Sequence, residues 1–293
     1  MNTASENSAR VESIIKDFIN ESPENRIQTQ TDPPEKAWNE PLVGFSNGAD
    51  AIWQDYKEHV GPFHLTPMDI FTNAFPSVTA SPEELTVISW ILPQTEATKK
   101  DNRKETDWPS ERWARTRIFG EEIQNKLRKH VVAELTGLGI EAVASMHSPL
   151  WSRQTSEIFG FASTWSERHA AYASGLGTFG LCDGLITPVG KAMRTGSVIA
   201  KVNIDPTKRP YTDHHEYCLF FSKGICGKCI PRCPVDALSE NGHDKIVCRA
   251  YLKPKTEEYV KENYKFDGYG CGLCQTKVPC ESKIPLARDV EGE

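Results

Sequence analysis

Eight cysteines fall within the last 76 residues of this 293-residue chain, in the order Cys218-x7-Cys226-x2-Cys229-x3-Cys233-Pro234, then Cys248, then Cys271-x2-Cys274-x5-Cys280. A cubane iron–sulfur cluster needs four thiolates converging on one centre, and a Cys-x2-Cys turn supplies two of them with the backbone curled around the cluster. In two-cluster ferredoxin runs the Cys that precedes Pro crosses over to the other cluster. That logic assigns Cys218, Cys226, Cys229 and Cys280 to one [4Fe-4S] cluster, and Cys233, Cys248, Cys271 and Cys274 to a second, with none left over. Zinc is the alternative, since two Cys-x2-Cys pairs can build a ribbon. The Cys-x3-Cys-Pro ending and the interleaved arithmetic favour iron–sulfur. Cys182 has no spacing partner and reads as a small buried hydrophobe. Lys223, Lys228 and Arg232 interleave the first run; they offset the charge of about -2 that each oxidised cubane carries, or dock an acidic electron donor. His214 and His215 read as a surface turn.

A second segment, Thr164–Gly180 (TWSERHAAYASGLGTFG), satisfies G-x-G-x-x-G at Gly175, Gly177 and Gly180. A dinucleotide fingerprint needs a strand before it and a helix after it. Here the order is reversed. Thr164 and Glu167 read as a capping box that starts a helix, the alanines continue it, and Gly175 stops it. The glycines therefore cap a helix and let the backbone approach another element, or a large flat ligand, closely. On residue type alone Arg168, His169 and Tyr172 are an ordinary helix face.

These segments need a scaffold. Val11, Ile14, Ile15 and Phe18 predict an amphipathic helix within residues 1–21. Ser22–Glu40, with three prolines, reads as an extended connection. Pro41–Phe45 and Leu85–Leu92 read as strands, the second buried on both faces. Glu96–Ser110 is charged and reads as a surface loop. Glu111–Thr136 reads as a long helix closed near Gly137, and Glu141–Met146 as the next strand. Leu185–Pro188 and Ser197–Ile204 read as further strands. The αβ alternation ends near residue 210, where Cys, Gly, Pro and Lys take over. The expected organisation is an α/β (α+β) domain over 1–210 and a metal-stabilised domain over 211–293, too loop-rich to rely on burial alone.

Composition narrows the function classes. The net charge of -6 argues against a general nucleic-acid or anionic-membrane binder, without excluding a local basic patch. The longest apolar run, Val87–Leu92, is too short to span a bilayer. The polar start MNTASENSAR shows no export signal, so a cytoplasmic location is expected, in which clustered cysteines favour metal over disulfides.

The cysteine set from Cys218 to Cys280 and the ERHAAYASGLGTFG stretch, followed by LITP and GSVIAKVNI (Gly196–Ile204), together resemble the epoxyqueuosine reductases and the related reductive dehalogenases. The resemblance covers about residues 165–280. It implies a nitroreductase-like α/β domain with a bacterial-type two-cluster ferredoxin module packed on it. It also implies a base-off cobalamin between them, fed by the clusters, that reduces a small substrate or a modified nucleoside carrying a leaving group such as an epoxide oxygen or a halide. A ferredoxin- or flavodoxin-type donor would supply the electrons. Arg168, His169 and Tyr172 become candidates for proton delivery or orientation, and Gly175, Gly177 and Gly180 for cofactor approach.

Three departures stand out. Cys218 takes the place of a cysteine at position 223. The last run is Cys274-x5-Cys280. Phe161 occupies the position of the family's aspartate proton donor, six residues before Glu167, and a phenyl ring cannot donate a proton. The chain thus reads as a divergent relative with an unassigned substrate. The alternative is an electron-transfer protein without a corrinoid, serving a partner enzyme.

Overall fold

The computed structural model describes residues 3–291. Thr3 accepts from the Glu6 amide and Glu6 returns the bond, so α1 (Ala4–Glu21) starts with a reciprocal cap. Val11, Ile15 and Ile19 bury, and Ile14 and Phe18 pack beside them, as the apolar stripe predicts. A small hairpin, β1 (Arg26–Ile27) and β2 (Glu35–Lys36), lies within the expected extended connection. Then come β3 (Leu42–Asn47), α2 (Ile52–His59), α3 (Pro67–Ala74) and β4 (Thr86–Pro93). All eight residues of β4 are buried, which is why its sequence shows no alternation.

The charged segment after β4 is a helix, not the expected loop. In α4 (Glu96–Lys104) the Thr95 hydroxyl caps the Thr98 amide, and Thr98, Lys99 and Asn102 are buried. Its charges are used in tertiary contacts: Arg103 binds Glu96 on one side and both carboxylate oxygens of Glu281 on the other. The long helix α5 (Glu111–Gly137) follows, capped by Ser110. The strand expected at Glu141–Met146 shrinks to β5 (Ala142–Val143), because Ser145–His147 already turns as a short 3-10 segment. A hairpin, β6 (Arg153–Ser156) and β7 (Gly160–Ser163), precedes α6 (Glu167–Ala173). The cap of α6 is Ser166 rather than Thr164. The Thr164 hydroxyl is committed elsewhere, donating to Leu150 O at 2.9 Å and accepting from Ser152 N at 2.9 Å. After β8 (Thr178–Phe179) and β9 (Leu185–Ile186), the last long strand, β10, runs from Met193 to Ala200.

The main sheet has the order β3-β4-β10-β5, with every neighbouring pair antiparallel. Its longest ladder pairs β4 with β10 from Met193↔Pro93 to Ala200↔Thr86. One face, carrying Ile88, Trp90, Leu92, Val198 and Ala200, packs on α1 and α5. The other, carrying Val87 and Ile199, packs on α2, α3 and α6 through Trp53, Phe71, Trp165 and Ala170. A Cβ on Gly196 would lie 2.5 Å from the Trp90 indole, so the strand needs a glycine there for the ring to lie flat on it.

From residue 211 on, regular structure is sparse: α7 (Leu219–Lys223), the short pair β11 (Leu238–Ser239) and β12 (Gly242–His243), α8 (Lys245–Ala250) and α9 (Thr256–Tyr264). This segment packs against the rest through main-chain and polar contacts. Asn102 Nδ2 donates to Cys271 O and to the Thr276 hydroxyl. Arg232 donates to four carbonyls, Asn102 O, Glu105 O, Leu273 O and Thr276 O. Trp108 stacks on Tyr259 at 4.5 Å.

Replacing Gly196 with alanine overpacks the Trp90 contact and should lower stability by about 1–3 kcal/mol. Gly137, near the end of α5 with nothing within 4 Å of its would-be Cβ, is the control. Its alanine variant should be neutral, or more stable by at most about 1 kcal/mol. Urea unfolding followed by circular dichroism measures both.

Candidate functional site

The helix α6 sits at the edge of a cavity of about 930 Å³. Its other walls are α2, the outer side of α5, the β6–β7 hairpin, the turn at His214 and His215, and α8. That volume lies at the upper end of the range for ligand pockets, about 300–1,000 Å³. Arg117, Arg153, Arg168, Lys245 and Arg249 bring five cations to the wall, against the carboxylates of Asp55, Glu121 and Asp183.

Arg168, His169 and Tyr172 all line this cavity. The Arg168 guanidinium donates to Asp183 O, which orients it along the wall. His169 Nδ1 is 2.7 Å from the Ser166 hydroxyl, and its ring meets Tyr56 edge-on at 4.8 Å. Burial pushes the imidazole well below its ordinary range, and His64 nearby adds to the effect, so His169 is neutral at pH 7. His64 itself is lowered to about 4 by burial. The Tyr172 ring stacks on Tyr211 at 5.0 Å. Burial raises its phenol, which keeps the proton on.

Phe161 also reaches the cavity, from β7, and is 47% exposed. Arg249 lies over its ring at 5.0 Å, and Lys245 over that of Phe159 at 5.4 Å. Gly175, Gly177 and Gly180 are not part of the wall, and their close approaches are to protein. Gly175 has φ +76 and abuts Thr207 and Lys208, and a Cβ on Gly177 would lie 2.2 Å from Ile186 O. Gly175 thus makes the turn against another element that the sequence suggests.

The cysteines gather beyond this wall. Cys218, Cys229 and Cys280 are buried with Cys182, Leu181, Ile186, Leu238 and Val278. Burial pushes the Cys229 thiol up to about 12, with Cys182, Cys280 and Cys218 as neighbours and Lys191 opposing. Cys226 lies half-buried in the same turn region. Burial also raises Cys271 to about 12, where Cys248 and Cys233 are close and raise it further. Cys274 packs against the cluster that contains Cys182. Cys233 Sγ accepts from the Ala237 amide at 3.2 Å. All nine cysteines are free thiols. Among the described residues no three His, Cys, Asp or Glu side chains converge closely enough to hold one metal ion. The donor set, eight thiols of which three are buried and five half-buried, has the chemistry an iron–sulfur centre requires.

Several residues at the site carry no sequence signal. Asp183, at φ 57, receives His243 Nδ1 at 2.9 Å and the Lys245 ammonium at 3.5 Å. Asp183 and the nearby Cys248 thiol both hold the His243 imidazole above its ordinary range, so the cavity wall and the cysteine region adjoin. At the start of α6, the largely buried Glu167 side chain faces Arg128 at 3.3 Å and accepts from the Ser197 hydroxyl, which in turn accepts from Trp165.

Burial holds the Glu167 carboxyl above the usual range, and Arg128 pulls it back. Removing Arg128 would raise it further. A carboxyl that binds its proton more tightly folded than unfolded loses stability as pH rises from its unfolded value towards the folded one. Arg128→Met should therefore lose about 3–5 kcal/mol at pH 8 and clearly less at pH 5, read from urea midpoints at the two pH values. Equal losses at both would remove Glu167 from the account.

No family model matches the chain. An epoxyqueuosine reductase from Staphylococcus aureus (strain NCTC 8325 / PS 47) is 29% identical over 130 residues, 42% of this chain. The match spans 32% of that relative, about a third of its length. The crystal structure of epoxyqueuosine reductase with an epoxyqueuosine-modified tRNA-Tyr stem loop superposes with a TM-score of 0.51 at 14% identity, covering 97% of this chain and 68% of that one. A reductive dehalogenase whose structure suggests a mechanism for B12-dependent dehalogenation gives a TM-score of 0.48 at 15% identity, covering 85% and 31%. Over that stretch the sequence is similar to an epoxyqueuosine reductase, and over nearly all its length the fold is similar to that of one.

Proposed function

We propose that this chain is an iron–sulfur oxidoreductase that passes single electrons through two [4Fe-4S] clusters to a base-off cobalamin, reducing a small substrate or a modified nucleoside. One observation carries the reading: the helix that bears Cys248, α8, also brings Lys245 and Arg249 to the wall of the 930 Å³ cavity that Arg168, His169 and Tyr172 line. Thiols suited to electron relay and a chamber for a large ligand thus share one helix.

In this reading residues 1–210 form a nitroreductase-like domain and 211–293 a ferredoxin-type module. Cys218, Cys226, Cys229 and Cys280 hold one cluster; Cys233, Cys248, Cys271 and Cys274 hold the other. Cobalamin, when bound, supplies a strongly nucleophilic reduced cobalt that no side chain can replace. The chain's own residues bind, orient and protonate. Arg168, braced by Asp183 O, presents a fixed cation to a substrate oxygen or leaving group. His169 is neutral and serves as an orienting hydrogen-bonding group rather than a charge. Tyr172 keeps its proton to high pH, and among the described residues nothing hydrogen-bonds its hydroxyl, which makes it the foremost proton donor where Phe161 cannot serve. The cationic wall suits a substrate bearing negative charge, and an external ferredoxin- or flavodoxin-type protein supplies the electrons. The epoxyqueuosine reductase solved with a tRNA stem loop favours a modified nucleoside, free or within RNA, as the first class to try.

Chain produced without oxygen and with cobalamin available should contain about eight iron, eight sulfide and one corrinoid. The same iron and sulfide with no corrinoid, even after soaking with cobalamin, would make the chain an electron carrier. With a reducible epoxide or halide in hand, Tyr172→Phe should lower turnover by about 10²–10⁴-fold while leaving the iron content unchanged. Unchanged turnover would remove Tyr172 as donor.

A further inference from the structure

Lys191 is 2% exposed, yet it has no carboxylate partner among the described residues. It lies just before β10, and its amide is shared between Cys280 O at 2.8 Å and Glu281 O at 3.1 Å. Its stem runs beside Cys182: a Cβ on Gly184 would touch Lys191 Cγ and Cδ at 3.0 Å and Cys182 Sγ at 3.4 Å. The ammonium lies close to the thiols of Cys182 and Cys280, which pack in one cluster with Cys229 and Cys274. The groups that most favour its charge are Cys182, Cys280, Cys229 and Cys274, in that order. Two of these belong to the first ligand set and one to the second, so the cation sits between the sets. A buried ammonium without an ionic partner carries a large desolvation penalty. In the cluster reading, the ligand thiolates are its counter-charge.

We propose that Lys191 is a positioning charge that sets the reduction potentials of both clusters. The inference rests on the reading that the eight cysteines hold two cubanes. Each cubane, with its four thiolates, goes from about -2 to about -3 when it accepts one electron. A fixed positive charge nearby favours the more negative state, so it raises the potential and eases entry of the electron. Because the cation lies between the sets, both couples should respond, and the Cys229–Cys280 cluster more strongly.

The test is a dithionite titration of the full chain, reconstituted without oxygen and followed by electron paramagnetic resonance, with iron counted in each sample. Lys191→Met should shift the oxidised-to-reduced ratio of the Cys229–Cys280 cluster at least tenfold towards oxidised, a midpoint about 59 mV more negative for one electron. Lys191→Arg, which keeps the charge, should stay within threefold of the parent. Lys191→Gln, which keeps a donor but not the charge, should follow Lys191→Met. Full iron in parent and Lys191→Met with coincident midpoints would overturn the role of Lys191 and leave the clusters standing. A parent titration with no cubane signal would instead overturn the cluster reading, and the inference with it. Loss of iron from both neutral variants would also overturn the proposal and make Lys191 an assembly residue.

Discussion

The eight-residue antiparallel pairing of β4 with β10 is the constraint on which the rest of the molecule depends. Both strands are nearly dry, so their amides must pair with one another. Once they do, alternation along β10 distributes its side chains to two destinations. Gly196 and Val198 turn towards Trp90 and α5, while Ser197 turns towards Trp165 and Glu167 beneath α6. The residues just before the strand extend the same geometry. Ala192 O accepts from Gln94, while the amides of Lys191 and Ala192 bind Cys280 O and Glu281 O. The ladder therefore anchors α6 and its cavity, and it also provides the edge on which the cysteine-rich segment is laid.

The join is polar rather than oily. Asn102, Arg103 and Arg232 reach across it, each with several partners. Buried polar groups are tolerable when every donor finds an acceptor, and arrangements of this kind specify one geometry more sharply than apolar contact does. A segment with so little regular structure needs that precision, since it has few ladder bonds of its own to fix the directions of its thiols.

What the sequence disclosed, and what it hid, follow from the range of the forces involved. The cysteine spacing, the run at Val87–Leu92 and the stripe of α1 are local patterns, so they could be read directly. The charged stretch at Glu96–Ser110 misled because its helix is stabilised by a partner 178 residues away, Glu281. The cap at Ser166 was missed because two candidate hydroxyls stood two residues apart, and only tertiary contacts to Leu150 and Ser152 remove Thr164 from the choice. Arg168, His169 and Tyr172 were named on resemblance and do face one cavity. Asp183, Arg128 and Lys191 were invisible, since each owes its surroundings to residues distant in the chain.

Arg232 shows what such an arrangement means for sequence drift. One guanidinium binds four carbonyls, two at the end of α4 and two in the turn at 273–276, tying the two segments together. It recognises the main chain and is indifferent to the side chains beside it. Asn102, Cys274 and Thr276 have contacts of their own, but the other side chains at 102–105 and 273–276 can change without disturbing Arg232. A single inserted or deleted residue would move the carbonyls out of its reach. In this region length, more than residue identity, is the inherited quantity.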